Sequence, residues 1–312
     1  MTRPLLLAAG GAHVDRRGQI SGLYAAGASN TGRMAEDVGG AAFNALRNAV
    51  AGGVDGAILS VRGGDMAGER VAGAIAAAGI RDLSAIFLDR ASPSYTALID
   101  QDGELIAGLA DMELYETAFV RQVRRRAFRD AAADAQAILI DANLTEDALL
   151  RLVDAIPAIP LHAIAVAPAK AVRLLPVTAR LDCLFMNLRE ARALAGDPEA
   201  DAVGAARALR DKGLKRGVVT AGGAPVTGFD ADGFFTLEPP KPRRVADVTG
   251  AGDSVTGTAI AAMMHGRGFR QALREGLAAA LLTIESGRSV AGWSRGEFDA
   301  ALALVPAPQA VA

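Results

Sequence analysis

The sequence predicts an α/β fold built on a mostly parallel central sheet, and three features of the chain carry that expectation. Apolar runs such as Ala57-Ile58-Leu59-Ser60-Val61, Ala137-Ile138-Leu139-Ile140-Asp141 and Ala163-Ile164-Ala165-Val166-Ala167 stand at spacings that leave room for helices between them. Strand, helix and strand in that order give parallel pairing through right-handed crossovers. Hydrophobic residues make up 51 % of the chain but aromatics only 4 %, which suits closely packed alanine-rich helices on a sheet rather than an all-β design. The pair Asp102-Gly103 between apolar runs at 94–100 and 104–110 is a hairpin signal, so a small antiparallel element accompanies the main sheet.

At 312 residues, with no internal repeat and no linker, the chain is expected to form one α/β domain over 1–312. A net charge of −2 gives no electrostatic reason to expect a nucleic-acid polymer or an anionic membrane as partner. The single cysteine, Cys183, excludes an internal disulfide and a multi-cysteine metal site, and fits a reducing, cytoplasmic setting. No apolar stretch approaches the roughly 20 residues needed to span a bilayer.

Taken in order, Leu5 to Val14 reads as a buried strand whose apolar part is too short for a signal peptide. It ends at Asp15, where open α/β sheets place ligand-binding residues. Residues 16–38 are rich in Gly, Ser, Asn and Thr and form either a disordered loop or a pair of short strands serving as a lid, which the hairpin at about 92–112 would complete. Gly39-Gly40 opens a helix through Asn44 to about Ala51, and the glycines either pack tightly or admit a ligand close to the backbone. The strand at 57–61 runs through Arg62-Gly63-Gly64-Asp65-Met66-Ala67-Gly68 into a helix from Glu69 to Ala78, followed by a strand at 83–88. Arg124-Arg125-Arg126 is a solvated surface run. An amphipathic helix covers Glu146 to Ala155.

Cys183-Leu184-Phe185-Met186 leads into Asn187-Leu188-Arg189-Glu190, where Asn187 is an N-cap candidate and Glu190 a capping-box partner. The strand Gly217-Val218-Val219-Thr220 opens into Ala221-Gly222-Gly223, bare backbone of the kind that suits a phosphate. Leu273 to Ile284 forms a late apolar helix, and Pro306-Ala307-Pro308-Gln309 reads as a frayed tail.

The densest chemistry lies at Asp247-Val248-Thr249-Gly250-Ala251-Gly252-Asp253, which runs into a proline-free stretch of small and apolar residues reaching Met264. A glycine-bearing loop feeding a helix start leaves backbone N–H groups without intrahelical partners, a ready anion site. Asp253 is then either the helix N-cap or a carboxylate that takes a proton from a hydroxyl attacking a phosphoryl group.

This Asp-x-Thr-Gly-Ala-Gly-Asp run resembles the C-terminal signature of the ribokinase-like (PfkB) carbohydrate and nucleoside kinases. The Gly-Gly…Asn element at 39–44, the Gly-x-Asp-x-x-Gly loop at 63–68 and Asn-x-x-Glu at 187–190 follow that family in the same order. The resemblance implies a three-layer sandwich with a mostly parallel central sheet and a small β-strand lid. It implies ATP and Mg²⁺ as cofactors, a small-molecule nucleoside or sugar as substrate, and a homodimer through the lid strands. A monovalent cation such as K⁺ is among the family's options. By the same resemblance Asp253 is the catalytic base and Gly250, Ala251 and Gly252 form the anion hole. Asp15, Gly39, Gly40 and Asn44 meet the sugar; Thr220, Gly222, Gly223 and Thr249 meet the nucleotide; Asn187 and Glu190 organise Mg²⁺ through water.

Within the family, Ala28-Ser29-Asn30-Thr31-Gly32-Arg33 and the run from Ser94 to Leu105 resemble the pseudouridine kinases. That adds Ser29, Asn30, Thr96 and Lys170 on the substrate side, and pseudouridine 5′-phosphorylation as the activity. Departures from the pattern are Thr31 for proline, Val248 for Thr or Ser, and His13 where many relatives carry Asn. Ribose, fructose, uridine, cytidine and adenosine are alternative acceptors, and a non-catalytic nucleoside or nucleotide sensor is the competing class. A dinucleotide-dependent oxidoreductase lacks its Gly-x-Gly-x-x-Gly fingerprint here.

Overall fold

A computed structural model describes residues 3–311. The chain opens with β1 (Leu5–Ala9), β2 (His13–Ile20) and β3 (Gly32–Gly39), then α1 (Ala41–Ala51), β4 (Asp55–Leu59), β5 (Val61–Gly63) and α2 (Met66–Ala77). The short β6 (Arg81–Asp82) and β7 (Ala85–Phe87) precede the hairpin of β8 (Ser94–Ile99) and β9 (Leu105–Asp111). There follow α3 (Glu113–Gln122), α4 (Arg126–Asp134), β10 (Ala137–Asp141), α5 (Glu146–Ala155), β11 (Leu161–Ile164), α6 (Pro168–Ala171) and a 3-10 segment, Val172–Arg180. The next group is β12 (Cys183–Asn187), α7 (Leu188–Ala195), α8 (Ala202–Asp211), β13 (Gly217–Ala221), β14 (Ala224–Asp230) and β15 (Gly233–Leu237). Last come α9 (Ala251–Met264), α10 (Phe269–Ser286), α11 (Arg295–Ala303) and β16 (Gln309–Val311).

Ten strands form the main sheet in the order β16-β15-β14-β13-β12-β11-β10-β1-β4-β6. From β13 to β6 every neighbour is parallel, whereas β14, β15 and β16 add on antiparallel. Side-chain alternation divides the core into two apolar layers. Leu6, Ala8, Ile58, Leu139, Phe185 and Val218 pack with α1, α2, α9, α10 and α11. Leu7, Ala9, Leu59, Ile138, Ile140 and Leu184 pack with α3 to α8. Both sheet faces are covered, so the parallel strands are apolar on both sides rather than alternating with polar residues. Local signals set the boundaries: α5, for example, begins at Thr145, whose hydroxyl accepts from the Ala148 amide, with Glu146 and Asp147 in its first turn.

A separate four-stranded sheet, β3-β2-β8-β9, stands beside this sandwich. Residues 16–38 are therefore mostly strand, with Ser21–Thr31 as the connecting loop. The first strand differs from expectation. It does not run from Leu5 to Val14 but stops at Ala9, because Gly10 and Gly11 turn the chain, still buried, out of the main sheet. A Cβ on Gly10 would press on Asp141 Cγ at 2.6 Å and Ala42 Cβ at 2.7 Å. Asp15 consequently belongs to the lid rather than to the end of a core strand. The C-terminal segment also differs: Gln309–Val311 pairs with Thr236–Phe234 and extends the sheet edge instead of fraying.

Candidate active site

The carboxyl ends of the parallel strands open onto a cleft of about 330 Å³, where ligands bind in open α/β sheets. Asn143 follows β10, Val166 follows β11, Asn187 ends β12 and Thr220 lies on β13. Gly40, Ala41 and Asn44 enter from the start of α1, Thr249 and Gly250 from the signature loop, Gly252 and Asp253 from the first turn of α9, and His13 and Asp15 from the lid. Val166 has φ 68°, the left-handed region, which is unusual for a β-branched residue. The Ala167 amide donates to the Ala165 carbonyl at 2.8 Å, closing a γ-turn about it.

Gly250, with φ 80°, ends the signature loop and caps α9. A Cβ there would collide with the Ser289 backbone, so only glycine makes this turn. The amides of Gly252 and Asp253 sit in the first helical turn, where no intrahelical carbonyl is available. The Ala251 amide is engaged differently, donating to the Val248 carbonyl at 3.3 Å. Asp253 is not the N-cap; it is the third residue of α9, and its Oδ2 accepts from Asn44 Nδ2 at 3.0 Å. The two helices come close enough for that bond because Gly257 of α9 lies directly against the Ala45 carbonyl of α1, leaving no room for a side chain. Burial pushes the Asp253 carboxyl up to about 7, reinforced by Asp141 and Asp15 and opposed by the Asn44 bond and Arg47. A carboxylate poised near neutrality is suited to accept a proton from an alcohol.

Beneath the cleft lies a polar network that sequence reasoning missed. Asp141, fully buried, accepts from the Gly11 amide at 2.9 Å, the Ala42 amide at 3.1 Å, and the Asn143 amide and side chain at 3.0 and 3.1 Å. It thereby pins the Gly10-Gly11 turn to the start of α1. The buried Tyr115 hydroxyl accepts from the Ala12 amide at 2.9 Å and meets His13 Nδ1 at 3.1 Å. His13 Nε2 lies 3.3 Å from Asp15 Oδ1, so the imidazole holds the lid carboxylate in place. The signal for Asp141, an acid closing an apolar strand, was present in the sequence; nothing local pointed to Tyr115.

A second cavity of about 350 Å³ adjoins the first and shares Thr220, Gly252 and Val255 with it. Its walls are apolar, from Val226, Pro240, Pro242, Val245, Leu277 and Leu281, and Gly222 and Gly223 form one rim. A polar cleft and an apolar one thus meet at Gly252, beside the open amides of α9. Asn187 and Glu190 form a capping box in which the Glu190 carboxylate accepts from the Asn187 amide and side chain, each at 2.8 Å. Burial raises the Glu190 carboxyl, partly offset by those bonds. Both residues also line the first cleft, so the cap and the candidate site coincide.

The cleft therefore gathers Asp15, Gly40, Asn44, Asn187, Glu190, Thr220, Thr249, Gly250, Gly252 and Asp253. Gly39 backs Asp15, where a Cβ would strike the carboxylate. Other predicted residues lie elsewhere. Asn30 folds back on its own loop, bonding the Ala25 amide and carbonyl and the Ala28 carbonyl, and Ser29 is exposed in the same loop. Thr96 pairs with Arg16, whose guanidinium bonds Ser94; Tyr95 and Ala97 take the opposite face with Asp15 and Arg17. Arg17 of that face bonds Asp247 at 3.0 Å and Thr249 at 3.3 Å, tying the lid to the signature loop. Lys170 stands behind the cleft, donating to Asn143 Oδ1 at 2.7 Å, with burial lowering its pKa.

Comparison with known proteins agrees with this geometry. Residues 6–294 match the pfkB family carbohydrate kinases. A carbohydrate kinase from Agrobacterium tumefaciens is 44 % identical, with a TM-score of 0.85 and coverage of 99 % of each chain. Pseudouridine kinase of Escherichia coli is 25 % identical over 269 residues, 85 % of either chain. Arabidopsis thaliana ribokinase, solved with ribose and ATP, shares the fold at a TM-score of 0.81 and 19 % identity, covering 97 % of this chain and 99 % of its own. The fold is ribokinase-like, with the sandwich and the four-stranded lid as expected. The chain belongs to the pfkB family of carbohydrate kinases.

Proposed function

We propose that this kinase transfers the γ-phosphoryl group of ATP to the 5′-hydroxyl of a nucleoside, pseudouridine before other nucleosides or sugars. The observation that carries the reading is Asp253 at the junction of a polar cleft and an apolar cavity, beside the first-turn amides of α9. The acceptor occupies the polar cleft, where Asp15, held by His13, accepts from ribose hydroxyls. The adenosine occupies the apolar cavity, with its phosphates passing Thr220 and Gly252. Support for pseudouridine comes from the lid motifs and from the likeness to pseudouridine kinase.

In the reaction the Asp253 carboxylate accepts the hydroxyl proton as the oxygen bonds to the γ-phosphorus. The bond from that phosphorus to the β-phosphate bridging oxygen breaks, giving ADP and the nucleoside 5′-phosphate, and Asp253 later returns its proton to solvent. The open amides of Gly252 and Asp253 stabilise charge on the transferring group, and the turn at Gly250 aims them. Among the described residues no group of three or more His, Cys, Asp or Glu could cage a metal. Mg²⁺ ordinarily needs only one or two carboxylates plus phosphates and water, so Glu190 and Asn187 fit a water-mediated hold. Bound there, Mg²⁺ would neutralise phosphate charge. K⁺ dependence is read by titrating the salt.

The same reading places the enzyme in the cytoplasm as a homodimer through the lid. Met34, Leu98 and Leu109 expose 58 %, 40 % and 69 % of their surface on the lid's outer side, and sedimentation of the purified chain tests that pairing. The activity is tested by ADP release with ATP and Mg²⁺ over pseudouridine, uridine, cytidine, adenosine, ribose and fructose. Preference for pseudouridine supports the proposal; preference for another acceptor discards the substrate and keeps the kinase. ATP binding with no turnover on any acceptor favours the sensor.

A further inference from the structure

Arg47 sits on α1 one turn beyond Asn44, on the same helical face. Its Nη2 donates to Asn44 Oδ1 at 2.5 Å and to the Val38 carbonyl at 3.1 Å. The guanidinium lies 4.6 Å from the Phe43 ring centroid, and Nε is buried with no hydrogen-bond partner. A half-buried cation with an unmet donor is a costly choice for a helix whose only task is packing. Its contacts explain its presence.

An Asn amide can face either way, and its neighbours decide. Arg47 only donates, so it takes Oδ1 and leaves Nδ2 to face the Asp253 carboxylate. Without it the amide is free to turn its oxygen toward that carboxylate, which repels the ionised form. Val38, the second partner, is the penultimate residue of β3, where the lid joins Gly39-Gly40. One guanidinium therefore holds both the lid root and the orientation of the group bonded to the proton acceptor.

We propose that Arg47 is a positioning residue that locks the Asn44 amide with its N–H toward Asp253 and anchors the base of the lid. The proposal rests on the reading of Asp253 as the group that accepts the acceptor's proton. Charged and titratable groups around that carboxylate are His13 and Asp15 on β2, Asp37 on β3, Arg47 on α1, Asp141 on β10 and Glu190 on α7. Of these, Arg47 alone is a cation on the Asn44 side, acting on Asp253 through space as well as through the amide.

The test compares wild type, Arg47→Met and Arg47→Lys by two readouts. The first is the titration of the Asp253 side-chain carboxyl carbon by NMR, assigned by its loss in Asp253→Asn. The second is the acid limb of kcat/KM for whichever acceptor is turned over. Loss of the guanidinium should raise both midpoints by about one pH unit, roughly tenfold in activity on the acid limb. Arg47→Lys, which keeps the cation, should fall between, and it carries the measurement where the Met variant folds poorly. An Asp253 titration unchanged in the variants overturns the proposal. Absence of turnover on every acceptor defeats the kinase reading instead, while the NMR titration still decides the role of Arg47.

Discussion

Replacing Asp253 by Asn should cut turnover sharply and yet stabilise the protein above neutral pH. Burial lifts this carboxyl from its ordinary 3.8 to about 7. An acid raised on folding binds its proton more tightly in the native state, so stability falls as pH rises from about 4 to 7 and levels off above. A shift of about three units corresponds to about 4 kcal/mol at full strength. Asp253 lines an open cleft, and water there reduces the penalty to about 2 kcal/mol. The Asn variant carries no charge to desolvate, and its side-chain oxygen still accepts from Asn44 Nδ2. For a chain of this size the gain is about 4 °C in Tm at pH 8, shrinking toward pH 5. Calorimetry of both proteins at several pH values between 5 and 8 reads the difference directly. Turnover should fall by about 10² to 10⁴, as for loss of a general base. A variant less stable than wild type at pH 8, or a gain independent of pH, would refute the reasoning.

Other outcomes follow from the same geometry. The wild-type kcat/KM should fall below about pH 7 as Asp253 takes a proton, and a profile flat to pH 5 contradicts its role. Gly250→Ala adds a Cβ against the Ser289 backbone at a positive φ, costing about 1–2 kcal/mol and displacing the amides of α9. Turnover should drop steeply, and near-normal kcat would show that the turn tolerates a side chain. Asp141→Ala leaves the buried amides of Gly11 and Ala42 and the Asn143 side chain unpaired, each worth about 1–3 kcal/mol. Urea unfolding should show a loss of several kcal/mol, and a loss within 1 kcal/mol would mean that water replaces the carboxylate.

The parts of the site legible in the sequence were those written locally. The Gly-Ala-Gly-Asp run before a helix of small residues specifies the turn at Gly250, the open amides and the place of Asp253, all within one stretch of chain. Asn187 and Glu190 were legible for the same reason, as a cap whose two partners stand three positions apart. Residues on the lid other than Asp15 were not, because which face a strand turns to the cleft depends on register with its partners. Thr96 and Tyr95 are neighbours in sequence and opposite in the sheet. The strand was read through to Val14 because nothing local marks a stop at Gly10-Gly11; the tight turn there answers to Asp141, 130 residues away. The tail from Pro306 carries turn residues, and only the free edge of β15 makes a strand of it.

The measurement closest to the central claim is identification of the product formed from ATP, Mg²⁺ and pseudouridine by phosphorus–proton correlated NMR. Asp253 beside the open amides of Gly252 and Asp253 predicts one phosphomonoester, on the 5′-oxygen, formed in step with ADP and absent with Asp253→Asn. Inorganic phosphate with the nucleoside unchanged, or a phosphate on a ring hydroxyl, would contradict the placement of the acceptor against Asp253.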